Sequence, residues 1–74
     1  MKMEIKEVRK HLRTTGVIVL MWLDFPRPNV EELDRGGVYI EVSKASVLRS
    51  LSDFPDHAIC TAHFSPHNNK LTIG

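Results

Sequence analysis

Val17-Ile18-Val19-Leu20-Met21-Trp22-Leu23 is the stretch on which the fold turns. Seven apolar residues follow one another without a polar break. β-Branched side chains lead the run, and Gly16 and Pro26 bound it. Such a run reads as a β-strand covered on both faces and therefore central in its sheet. It is far shorter than the roughly 20 residues a membrane helix needs.

Upstream, Ile5, Val8 and Leu12 recur at helical spacing with Met1 one turn before them, an arc of roughly 60° on a helical wheel. The spacing predicts a helix over 3–13. Glu4 and Glu7 fall early and Lys10 and Arg13 late, as the helix dipole favours, and Gly16 supplies a left-handed stop. A strand through Met1, Met3 and Ile5 is the competing reading, but its alternation fails at Glu7 and Val8.

Downstream, Pro26-Arg27-Pro28 enforces an extended turn, after which Asn29 caps a short helix in a capping-box pattern with Glu32. Gly36-Gly37 releases the chain into a half-buried strand over 38–42, with Val38, Ile40 and Val42 on one face and Tyr39 and Glu41 on the other. Ser43 offers an N-cap to a helix that buries Val47, Leu48, Leu51 and Phe54 and stops at Pro55. From His57 to Phe64, Ala58, Cys60, Ala62 and Phe64 alternate with His57, Ile59, Thr61 and His63, which favours a third strand. Ser65-Pro66-His67-Asn68-Asn69 carries turn chemistry before a short strand at 71–73.

The predicted order is helix, strand, short helix, strand, helix, strand, strand. Two to three helices with one sheet to cover give an α+β fold, a two-layer sandwich with about four strands. If the helix at 43–54 joins parallel neighbours, its crossover is right-handed. Seventy-four residues make one domain that buries only about 60% of its unfolded surface, so a second subunit or a partner would add welcome stability. With 42% apolar residues, 26% charged and a net charge of +1, the chain is neither disordered nor a basic nucleic-acid tail. A lone cysteine, Cys60, and no secretory pattern place the expectation in the cytoplasm.

His57, Cys60, His63 and His67 are four residues of metal-ligand type within eleven positions. On a strand, spacing by three sends Cys60 to the face opposite His57 and His63, so the expectation is no metal and no cofactor. Neither a nucleophile with its base and orienting group nor a phosphate-cradling glycine loop is visible, which excludes most enzyme classes as a first reading.

Charge is asymmetric. Residues 1–13 carry Lys2, Lys6, Arg9, Lys10 and Arg13 against two glutamates, whereas residues 24–56 carry seven acids against four bases. The five cations share one arc of the first helix, a stripe suited to a phosphate backbone. Near-neutral total charge and the lack of a base-reading helix favour a protein partner instead. Arg27, held between two prolines, and Tyr39, on the polar face of its strand, are the candidate contacts, because Arg and Tyr most often anchor interfaces. The expected function is a small non-enzymatic accessory, regulatory or inhibitory protein acting through protein–protein binding, with self-association as a homodimer one form of it. A nucleic-acid-binding regulator using the basic stripe is the alternative.

Overall fold

The computed structural model describes residues 1–23, 25 and 39–74. Arg27, Val38 and the short helix expected after Asn29 lie outside the described residues. The elements in chain order are β1 (Lys2–Glu4), α1 (Ile5–Leu12), β2 (Ile18–Trp22), β3 (Tyr39–Glu41), α2 (Lys44–Ser50), β4 (Ile59–Ser65) and β5 (Lys70–Ile73). The fold is α+β: among the described residues, two helices accompany a five-stranded mixed sheet of order β1-β4-β5-β2-β3. β2 and β5 run parallel, and every other neighbouring pair is antiparallel.

The strand beyond the expected four is β1. Its three residues pair with Ile59–Thr61, and the helix expected from residue 3 starts only at Ile5. The reason lies outside the local sequence. No side chain caps α1, and its first turn is held by backbone, with Ile5 N donating to Ala58 O at 2.8 Å and Lys6 N to Asp56 O at 3.1 Å. Two of the donors that a helix N-terminus leaves free are thus satisfied by the chain that enters β4. Met1, assigned to the helical stripe, is exposed instead.

α1 ends at Leu12 with Arg13 as its C-cap, before the expected glycine stop, and Gly16 takes φ +73° in the turn that follows. Ser43 caps α2 by accepting from Ser46 N at 3.1 Å. α2 stops at Ser50, earlier than the apolar spacing suggests, so that Val47 and Leu51 are buried, Phe54 is half-buried and Leu48 faces solvent. The two helices run antiparallel. Lys44 at the start of α2 donates to Thr14 O at 3.2 Å, just past the end of α1, while Arg9 in mid-α1 reaches carbonyls just past the end of α2.

Ile5, Val8 and Leu12 of α1 and Val47 and Leu51 join Val19, Met21, Ala62, Leu71 and Ile73 of the sheet in one core cluster. No polar or charged residue is buried among the described residues. On the flank of α1, His11 stacks on Phe64 of β4 with ring centroids 4.3 Å apart.

Two expectations for the strands fail, the full cover of β2 and the half-burial of β3. α2 links β3 to β4, which run parallel in the sheet but are separated by β5 and β2, so they are not the neighbours the expectation supposed. β2 does pair on both edges, yet its two faces are not equally covered: Val19 and Met21 are buried on one, whereas on the other Ile18 is 45% exposed, Leu20 half-buried and only Trp22 buried. β3 is exposed along its length rather than half-buried.

Candidate protein-binding surface

Pairing register decides which side chains share the uncovered face. Val19 lies beside Leu71, Met21 beside Ile73, and Ala62 beside Ile73, so these alternate positions form the core face. The intervening positions form the other face, because side chains along a strand alternate. One row across it runs His63, Thr72, Leu20, Glu41 from β4 to β3. A second runs Ser65, Lys70, Ile18. A third begins at Lys2 beside Thr61 and, past Gly74, reaches Trp22 and Tyr39.

Much of this face is apolar and wet. Ile59 is 58% exposed, Ile18 45% and Tyr39 42%, with Leu20 and Thr72 half-buried. Exposed apolar residues are ordinary one at a time, whereas several on one sheet face rimmed by polar groups mark an interaction surface.

Tyr39 stands at one side of this surface. Its ring meets the buried Trp22 edge-on at 5.3 Å, and its hydroxyl donates to Gly74 O. The ring is therefore held in one orientation before any partner arrives, which lowers the entropy cost of using it as a contact.

The basic stripe divides. Lys2 leaves the helical stripe, because it lies in β1 beside Thr61 and not in α1; it is exposed, as are Lys6, Lys10 and Arg13. Arg9 is not a free cation: its guanidinium pairs with Asp56 and donates to Leu51 O and Phe54 O, both at 3.0 Å. A planar fork with five donors can hold a carboxylate and two carbonyls together, and here it closes the end of α2.

Cys60 lies on the core face of β4 and His63 on the other. His57 and His67 are exposed in the segments before and after that strand. No group of three metal-ligating side chains converges among the described residues. Burial pushes the Cys60 thiol above its ordinary range, so it is a poor nucleophile near neutral pH.

The apolar run places Ile18 and Leu20 in a strand covered on both faces, which the structure does not bear out, whereas alternation sets Ile59 on the face of His63 and Thr61, where it lies exposed. The available signal was the partner strands: Thr61, His63 and Thr72 are polar at alternate positions, as one solvated face requires, and β2 lies in the same sheet. Comparison with known proteins returned no match, whether to family models, to curated protein sequences or to solved structures.

Proposed function

We propose that this chain is a small non-enzymatic binding module, an accessory, regulatory or inhibitory protein that acts in the cytoplasm through protein–protein contact on the non-core face of its sheet. In this reading the two helices form one layer and the sheet the second, with the binding face directed away from the helices. One observation carries it: Ile18, Ile59 and Tyr39 stand exposed on a single sheet face, opposite a core that contains no buried polar residue among the described positions. No helix among those residues is long and apolar enough to cross a membrane.

The test compares variants at equal fold stability. Ile18→Asp places a charge on the exposed apolar part of the face and should abolish partner retention from the source cells without lowering the melting temperature. Reversing Lys6 and Arg13 to Glu should leave retention intact. Retention by Ile18→Asp, with the same partner recovered, would reject the surface.

A second reading, nucleic-acid binding, draws on the four exposed cations Lys2, Lys6, Lys10 and Arg13. Four phosphate contacts would make log K fall with log salt at a slope of about −3.6 on duplex DNA. The Lys6/Arg13 reversal would then remove binding and Ile18→Asp would not.

A further inference from the structure

We propose that the partner seated on this sheet face is a second copy of the same chain, related by a twofold axis that runs parallel to the strands between β5 and β2. The proposal rests on the binding-face reading above and adds the identity of the occupant.

The argument is charge order along one row. His63, Thr72, Leu20 and Glu41 cross the sheet on neighbouring strands, with an imidazole at the β4 end and a carboxylate at the β3 end. Both end residues are exposed. The row has two apolar or hydroxyl-bearing residues at its centre and unlike polar ends, so it complements its own reverse.

The axis along the strands reverses the row. It sets Leu20 against the second copy's Thr72, and Glu41 against the second copy's His63, twice in each dimer. An imidazole N–H donates to a carboxylate whether or not the ring is charged, so each contact is satisfied. The same operation brings Ile18 over the second copy's Lys70, whose methylene stem covers apolar surface while its ammonium reaches the rim. Tyr39 then faces the second copy's Thr61. A twofold axis laid across the strands along this row would instead set Glu41 against Glu41 and His63 against His63. That arrangement places like groups together and is disfavoured.

Distances suit the arrangement. Sheets packed face to face lie about 10 Å apart with strands within roughly 30° of alignment. Glu41 and His63 are separated by three strand intervals, or about 14 Å, so each lies about 7 Å from the axis. A 30° rotation moves them by roughly 4 Å, within the reach of a glutamate and an imidazole. Self-association also supplies the burial that a 74-residue chain lacks.

Sedimentation equilibrium of the full chain at about 100 µM tests the occupant, and charge variants test the register. The expected mass is twice the 8.4 kDa of one chain. Glu41→Lys and His63→Glu should each weaken the dimer about tenfold or more, because two contacts are lost and like groups face each other. Mixed in equal amounts, the two variants should form a heterodimer, since one contact becomes Lys–Glu and the other stays His–Glu. Circular dichroism confirms that each variant is folded.

A wild-type mass of 8.4 kDa at that concentration overturns the second-copy proposal and leaves the binding-face reading to its own test. Ile18→Lys sets like charges against the second copy's Lys70, and a dimer whose affinity it leaves unchanged overturns the second-copy proposal and leaves the binding-face reading to its own test. A dimer disrupted by Ile18→Lys, with no heterodimer from the two charge variants, overturns the axis proposed here.

Discussion

Replacing Arg9 by Met should cost the fold about 2 kcal/mol, although a surface lysine-rich helix normally tolerates such a change. Arg9 donates to the carbonyls of Leu51 and Phe54 at 3.0 Å and pairs with Asp56. Its side chain is 25% exposed and that of Asp56 69%. The ion pair is therefore mostly solvated and contributes only about 0.5 kcal/mol. The two carbonyl bonds lie in part-buried surroundings, and a charged donor makes them worth about 1.5 kcal/mol together after discounting for exposure. Met preserves the apolar stem along α1 and removes only the fork. At about 4–8 °C per kcal/mol for a domain this size, the melting temperature should fall by roughly 8–16 °C.

Differential scanning calorimetry at two salt concentrations separates the parts. Asp56→Asn should lower the transition by only a few degrees, in proportion to about 0.5 kcal/mol, and that portion should shrink in 1 M salt. The larger loss in Arg9→Met should persist in salt, because it comes from hydrogen bonds that close the end of α2. An Arg9→Met variant that melts with wild type would refute the clamp and return Arg9 to the exposed cations of the basic stripe.

Asn69 is a second place where backbone and side chain are separable. It sits at φ +52° and donates through Nδ2 to Thr15 O at 3.0 Å, tying the β4–β5 turn to the loop before β2. Asn69→Gly should lose only the tie, about 1 kcal/mol, while Asn69→Ala should lose about 1 kcal/mol more through left-handed strain; urea unfolding midpoints check the order. Cys60, half-buried and with its thiol pushed up by burial, should react slowly with iodoacetamide at neutral pH and rapidly once urea unfolds the chain. Because the raised value favours the protonated form in the fold, stability from this group is present below the ordinary thiol range and declines as pH rises above it. A labelling rate equal to that of a free thiol would contradict the burial.

Local pattern carried much of the molecule. Ile5, Val8 and Leu12 form the buried stripe of α1, Gly16 takes positive φ, Ser43 caps α2 and Asn69 takes the left-handed turn. Each of these is decided by residues within a few positions of one another, where side-chain periodicity and backbone sterics act without help. The single-strand reading of Met1, Met3 and Ile5 is a mixed case. Alternation holds for three residues and helical spacing for the next eight, and both occur, in succession.

Tertiary structure alone decided the rest. Ile18, Leu20 and Trp22 read as one continuous apolar run, and nothing in that run distinguishes the buried Trp22 from the exposed Ile18. The two lie on the same face of β2, and what separates them is that Trp22 is covered by Tyr39 of β3 and by Gly74 whereas Ile18 has no partner on β3, a long-range difference that a local pattern does not encode. Arg9 lies in the same stripe as Lys6 and Lys10, yet only the antiparallel placement of α2 brings two carbonyls and Asp56 to its fork. The sequence determined most of the elements and the inward faces of the helices, because those follow from neighbouring residues. The β1–β4 and β2–β5 pairings and the captured arginine follow from contacts between residues more than 40 positions apart, which exist only once the chain has closed on itself.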